Sequence, residues 1–273
     1  MITFWLAVLG LVLGSFVSAA VWRLRKLETS RSGKVAPRYT MSRGRSMCPH
    51  CKHTLAPKDL VPLLSWLSLR GRCRYCHKAI GWQYPLTELV ISLLFVVSYL
   101  FWPLGFTLVG GVLFALWLVL VVLGMILTIY DIRWTELPFR IVRPFSVVAL
   151  VFAGLRAYAQ ADYWSAGYAL LAAAILFGLF WAIHMGSKGE WIGGGDVVLA
   201  PALGLLAGTP LVVLLLLFIA SLCGVIVTLP GLLLKRQSLV SKIPFGPFLL
   251  AATWVVVIWG EQAITWYQNT LLL

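Results

Sequence analysis

The residues of this chain that could do chemistry fall into two sets, and the first is a pair of carboxylates. The chain has 273 residues, nine of them acidic, and most of those acids lie in polar connections. Asp131 differs because it directly follows an apolar run ending at Tyr130, and Asp196 opens another apolar run after Trp191-Ile-Gly-Gly-Gly195. Carboxylates at the edge of an apolar span are costly and usually functional. Two that come close resist ionising together and tend to share one proton. One can then take a proton from a water while the other donates to a carbonyl, which is aspartyl protease chemistry, and its titration belongs to the pair. A bell-shaped dependence of rate on pH follows, since one member must be charged and one neutral. Gly193, Gly194 and Gly195 permit backbone shapes that other residues resist, which would let a substrate strand approach Asp196. A plainer reading of the same residues makes Asp131 an interfacial side chain and Asp196 a helix N-cap.

The second set is Cys48-Pro-His-Cys51 followed by Cys73-Arg-Tyr-Cys76, with 21 residues between the pairs. A C-x-x-C turn places two thiolates on one side of a tight loop, and two such turns complete a tetrahedral zinc site at Cys48, Cys51, Cys73 and Cys76. His50, His53 and His77 are possible substitute ligands, and a redox C-x-x-C is the other reading. Cys223, alone in an apolar run, reads as a small buried hydrophobe. Lys242-Ile-Pro-Phe-Gly-Pro247 reads as a helix entry or a plain turn.

The elements that must position these residues are membrane spans. Hydrophobic residues make up 61% of the chain and charged ones 11%, too few to cover a soluble domain. Apolar runs predict helices over about Ile2–Trp22, Leu86–Trp102, Thr107–Tyr130, Ile141–Tyr158, Ala166–Met185, Val197–Ala207, Leu211–Pro230 and Phe245–Tyr267. The predicted fold is thus an all-α polytopic membrane protein of about eight transmembrane helices, with a cytoplasmic zinc-binding loop after the first. It comprises a first helix (1–22), the four-cysteine loop (23–85) and a membrane bundle (86–273). No internal repeat is visible.

The net charge of +13 sits beside the spans, which points to the positive-inside rule and not to nucleic acid. With the 23–85 loop in the cytoplasm, alternation puts 21 of the 22 basic residues inside and only Arg156 outside. Both termini then face outward, and Asp131 and Asp196 share the cytoplasmic face. Arg23, Arg25 and Lys26 follow the first apolar run, opposite to a cleavable signal peptide, so that run stays as a span.

Taken together these residues resemble the type IV prepilin peptidase family of GxGD-type intramembrane aspartyl proteases. The resemblance runs through Gly14-Ser15-Phe16, Arg45-Ser46-Met47-Cys48-Pro49 and Asp59-Leu60-Val61-Pro62-Leu63-Leu64-Ser65-Trp66. It continues through Gly71-Arg72-Cys73, Tyr84-Pro85-Leu86-Thr87-Glu88-Leu89, Asp131 with Leu137-Pro138, Gly193-Gly194-Gly195-Asp196 and Pro244-Phe245-Gly246-Pro247-Phe248. It implies that Asp131 and Asp196 are catalytic, in a protein of the bacterial cytoplasmic (inner) membrane. It implies cleavage of prepilin or pseudopilin leaders on the cytoplasmic side, after a glycine, in pilus or type II secretion systems. It also implies S-adenosylmethionine-dependent methylation of the new N-terminal residue, with the cysteine loop required. The chain carries no Gly-rich fingerprint for that cofactor. It departs from the family where Ser18 replaces a usual Asn, Phe139 a usual Asp, and Val198 a frequent Lys. Two other readings are a protease with a degenerate methyltransferase half and a non-catalytic membrane scaffold whose zinc loop binds a partner.

Overall fold

The computed structural model describes residues 1–30, 44–233 and 244–271. Among these the chain is helical, with two isolated β-bridges. It divides into two compact units, Met1–Leu100 and Phe101–Leu273. The predicted boundary at 85/86 marks where the chain re-enters an apolar run, whereas the compact units separate a helix later.

In the first unit, α1 (Ile2–Glu28) packs along α3 (Gln83–Leu100). The contact is close because two glycines one turn apart leave the backbone bare. A Cβ on Gly10 would lie 2.5 Å from Ser92 Cα, and one on Gly14 the same distance from Glu88 Cα. Ser92 Oγ donates across the contact to the Ala7 carbonyl at 3.0 Å. The helix runs six residues past the predicted end at Trp22, because Arg, Leu, Lys and Glu sustain a helix after hydropathy falls. Arg25 and Lys26 fall in its last turn, where cations suit the helix dipole. Between α1 and α3 lie a single 3₁₀ turn (Pro57–Asp59) and the short α2 (Leu64–Ser68).

The second unit comprises α4 (Leu108–Trp134), α5 (Phe139–Gln160), α6 (Tyr163–Gly186), α7 (Gly194–Ala207), α8 (Pro210–Leu233) and α9 (Gly246–Leu271). Thr107 caps α4, accepting from the Gly110 N–H at 3.1 Å, and Asp162 caps α6, accepting from the Trp164 N–H at 3.0 Å. Each of the eight predicted spans has its helix. Seven described helices are long and apolar enough to cross a bilayer. The remaining one, α7, has 14 residues. At a rise of ~1.5 Å per residue that is about 21 Å, against a hydrocarbon core of about 30 Å.

That short helix is the centre of the unit, packed by α5, α6, α8 and α9. From Val197 to Ala207 nearly every residue is buried, and a Cβ on Gly204 would lie 2.5 Å from Ala173 Cα of α6. A helix ending within a bundle leaves carbonyls that need donors. Gly208 turns the chain at φ +81, and Arg156 Nη1 donates to the Leu206 carbonyl at 3.4 Å while its Nη2 pairs with Glu261. The one basic residue expected on the outer side therefore ties down the far end of α7. Of the basic residues used to orient the chain, Arg31, Lys34, Arg38, Arg43, Lys235, Arg236 and Lys242 lie outside the described residues, as does Ile243.

Gly14→Leu is expected to destabilise the protein by about 1–3 kcal/mol or more through overpacking against α3. Gly111→Ala, on an open face of α4, should be neutral or slightly stabilising. Thermal unfolding of both variants in one detergent checks the contrast.

Candidate active site and metal centre

Asp131 lies one turn from the end of α4, buried at 6% exposure. After α4 the chain turns at Thr135, whose N–H donates back to the Asp131 carbonyl at 2.7 Å, and Leu137 follows before α5. Leu137 is the joint with α7, because a Cβ on Gly195 would lie 3.0 Å from Leu137 Cβ. Only a residue without a side chain lets this loop press against the start of α7. Asp196 then sits in the first turn of α7, half-buried.

The third side of the site is the N-terminus of α9. The Gly246 N–H donates to the Asp131 carboxylate. A Cβ on Gly246 would lie 2.6 Å from Asp131 Oδ2 and 3.4 Å from Asp196 Oδ1, so the Gly246 backbone packs directly against both carboxylates and leaves no room for a methyl group. The first backbone N–H groups of a helix have no partner within it and favour negative charge. Asp131 meets one such group at α9, and Asp196 stands over the start of α7. Two close carboxylates with a small gap between them can activate a water and protonate a carbonyl in one step.

Two expectations change. Asp196 is not the N-cap of α7, since Gly193 holds that position at φ −68, three residues earlier. None of Gly193, Gly194 and Gly195 is among the residues with positive φ, so their contribution is space and not unusual backbone shape. Gly195 admits Leu137, Gly193 leaves room beside Asp196 Oδ2 at 3.7 Å, and Gly194 borders the His184 ring at 3.7 Å.

In the first unit the four cysteine sulfurs of Cys48, Cys51, Cys73 and Cys76 lie within 4.8 Å of one another. Cys48 Sγ and Cys76 Sγ are 3.8 Å apart. A tetrahedral site with metal–sulfur bonds of ~2.3 Å has its sulfurs about 3.8 Å apart. The set therefore fits zinc, and four thiolates would leave no open position on such an ion. No histidine joins the cluster among the described residues, and His53 instead stacks on Tyr75 at 3.7 Å.

Each cysteine pair is held in the same way. The Cys48 N–H donates to the His53 carbonyl and the Lys52 N–H to the Cys48 carbonyl; the Cys73 N–H donates to Lys78 and the His77 N–H to Cys73. Lys52 and His77 both take positive φ, and bridges pair Met47 with Thr54 and Arg72 with Ala79. The chain thus holds a structural repeat that its side chains conceal. In each turn backbone N–H groups reach the first sulfur, from Cys51 and His50 to Cys48 and from Cys76 and Tyr75 to Cys73. Burial pushes the Cys48 thiol up. It also acts upward on Cys73, but there the N–H groups prevail and hold the thiol below its ordinary value. A second convergent pair of sulfurs is what a metal needs and a lone redox C-x-x-C does not.

Residues 8–102 match the bacterial peptidase A24 N-terminal domain, and residues 117–229 match the type IV leader peptidase family. The chain is 37% identical over 243 residues to the prepilin leader peptidase/N-methyltransferase of Aeromonas salmonicida, covering 86% of this chain and 78% of that one. The chain belongs to the type IV leader peptidase family. The Aeromonas hydrophila protein of the same name is 34% identical over 96% of this chain and 92% of its own, and that of Bacillus subtilis 33% identical over 98% of each. No solved structure matches.

Several residues that the family resemblance runs through acquire physical roles that sequence reasoning had not given them. Glu88 accepts from the Leu63 N–H at 2.8 Å and bonds the Ser15 hydroxyl, holding Leu63 at φ 57. Asp59 accepts from Arg74 Nε at 2.7 Å, Tyr75 OH at 3.0 Å and the Ala56 N–H at 3.2 Å, which anchors the second cysteine turn. The Cys-Pro-His-Cys and Cys-Arg-Tyr-Cys strings showed the ligands but not this brace. His184 was also missed. Its Nδ1–H donates to the Ile192 carbonyl at 2.7 Å, and its own carbonyl accepts from the Gly189 N–H at 2.8 Å, folding the loop that delivers Gly193–Asp196. Of the three departures, Ser18 has a buried hydroxyl with no hydrogen-bond partner among the described residues, while Phe139 and Val198 are exposed.

Burial acts to raise the Asp59 carboxyl, but the Arg74 guanidinium, the Tyr75 hydroxyl and the Ala56 N–H outweigh it and hold it below the ordinary carboxylate range. A lowered folded-state value stabilises the fold fully above the ordinary value, and the contribution is lost as pH falls through the folded one. Asp59→Asn should therefore lower the thermal midpoint at neutral pH. The gap from wild type should close as the pH falls below about 4, which paired melts across pH measure.

Proposed function

We propose that this protein cleaves the basic leader peptides of type IV prepilins and pseudopilins and then methylates the new N-terminal residue. What carries the reading is the close approach of both the Asp131 and Asp196 carboxylates to Gly246, in a chain whose relatives are named for both activities.

Asp131 and Asp196 are the proposed catalytic pair, with Gly193, Gly194 and Gly195 as the active-site loop. One carboxylate takes a proton from water as the water oxygen bonds to the scissile carbonyl carbon. The other, protonated, donates to the carbonyl oxygen. Collapse of the tetrahedral species breaks the C–N bond: the proton held by the first carboxyl passes to the leaving amine, and one diol hydroxyl returns its proton to the second carboxylate as the C=O re-forms. The Gly246 N–H holds one Asp131 oxygen in place throughout. S-Adenosylmethionine supplies the methyl group when bound, and no residue is assigned to it.

In this reading zinc sits on Cys48, Cys51, Cys73 and Cys76 and staples a loop too small to bury a core. The chain is organised as a first helix at 1–22, the zinc loop at 23–85 and the peptidase bundle at 86–273. The protein lies in the bacterial cytoplasmic membrane with the loop and the aspartates on the cytoplasmic side and both termini outside. The basic residues beside the spans support that orientation. Ser18, with its hydroxyl unpaired among the described residues where the family usually has Asn, favours a second reading in which cleavage persists and methylation is weakened.

Purified wild type incubated with a prepilin in detergent should release the leader, and mass spectrometry should find one added methyl group on the product when the cofactor is supplied. Asp131→Asn and Asp196→Asn should each lower cleavage by ~10²–10⁴-fold or more at unchanged thermal stability. Equal cleavage by wild type and both variants would overturn the assignment, and an unmethylated product would select the second reading. Gly246→Ala is a separate test: its methyl intrudes on Asp131 Oδ2, and a misplacement of ~1 Å costs about 10²-fold in rate. A Gly246→Ala protein that cleaves normally would show that the close approach of Gly246 to the two carboxylates is not needed for cleavage.

A further inference from the structure

The insertion between α1 and α3 shows water an apolar edge that neither zinc binding nor cleavage uses. Leu64 and Leu67, three residues apart and so on one face of α2, are 65% and 61% exposed. Leu60 and Val61, just before them, are exposed as well. These side chains do not belong to a core, and a soluble surface rarely gathers so many.

Their position identifies what covers them. Trp66, between the two leucines in sequence, packs at a tilt against Trp82 with ring centroids 4.3 Å apart, and its Nε1 donates to the Ile80 carbonyl at 3.2 Å. Trp82 is 75% exposed and immediately precedes α3. At helical spacing it begins the stripe Trp82, Leu86, Leu89 and Leu93, the exposed face that a membrane span turns to lipid. The Leu63 N–H, at the start of α2, is bonded to Glu88 in the second turn of α3. The start of α2 is therefore held beside the first two turns of α3, where that exposed stripe begins. In the same stretch of chain Lys58, Arg70, Arg72, Arg74 and Lys78 are exposed, against one acid between residues 57 and 82, Asp59, which is already paired with Arg74. Apolar side chains flanked by cations, beside an interfacial tryptophan, have the composition of an interfacial helix.

We propose that Leu60–Leu67 lies in the headgroup–acyl boundary of an anionic bilayer, so that the zinc-binding insertion is moored to the membrane surface by α2 as well as by its two flanking spans. The mooring fixes the height and tilt of the cysteine turns above the lipid.

The test uses the full chain in proteoliposomes. A photoactivatable side chain replacing Leu64 or Leu67 should give phospholipid adducts, with several-fold greater yield in phosphatidylglycerol-containing vesicles than in neutral ones. In the unmodified protein, amide exchange across residues 60–68 should be slower in the anionic vesicles. Adducts only to a co-reconstituted prepilin or to a second copy of the chain would overturn the proposal in favour of a protein-docking surface. Exchange that is unaffected by lipid charge, with no lipid adduct from either position, would also overturn it.

Discussion

Everything in the second unit depends on bringing two carboxyl side chains, which resist being charged together, to one place at the edge of an apolar medium. Like charges at that distance repel, and the bilayer core offers no water to screen them. The chain answers with helix ends. The C-terminal turn of α4, the N-terminal turn of α7 and the N-terminus of α9 meet at one place, and α9 supplies the Gly246 N–H to Asp131. The meeting needs contacts closer than side chains allow, so Gly195 against Leu137 and Gly246 against both carboxylates are consequences of the same requirement.

The first unit solves a different problem by related means. A loop of about sixty residues cannot hold a shape by burying apolar area alone. It relies on two nearly identical hydrogen-bonded turns that aim four sulfurs at one point, and on single carboxylates that brace the approaches. Asp59 pins the second cysteine turn, and Glu88 pins the start of α2 to α1 and α3. In both units polar groups specify geometry while the apolar residues supply the adhesion.

The features of this arrangement that were legible in the sequence are those written in local pattern. Eight apolar runs gave eight helices because each run carries its own hydrophobic signal. Paired cysteines announced a four-sulfur cluster because their spacing is local. Asp131 and Asp196 stood out because charge is rare beside such runs. What was not legible depends on which distant backbone comes near. Gly246 looked like punctuation before a helix, and its closeness to Asp131 exists only once α9 packs beside α4. The glycines before Asp196 suggested unusual backbone angles, whereas the structure uses their lack of volume. His184, an ordinary residue near the end of an apolar helix, gave no signal for its bond to Ile192. The end of α1 was missed because hydropathy reports solvent and not hydrogen bonding, and the helix continues where its surroundings turn polar.

The tie between Arg156 and the far end of α7 has a consequence for how the gene can vary in length. Because α7 is fastened at Leu206 and Gly208, the depth of Asp196 is counted back from that anchor along a rod of fixed pitch. One codon gained or lost inside the rod would shift the carboxylate by about 1.5 Å and swing it by roughly 100°. No neighbouring loop could absorb that change. Lineages descending from this chain should therefore hold the interval from Asp196 to Gly208 constant, and lengthen or shorten elsewhere.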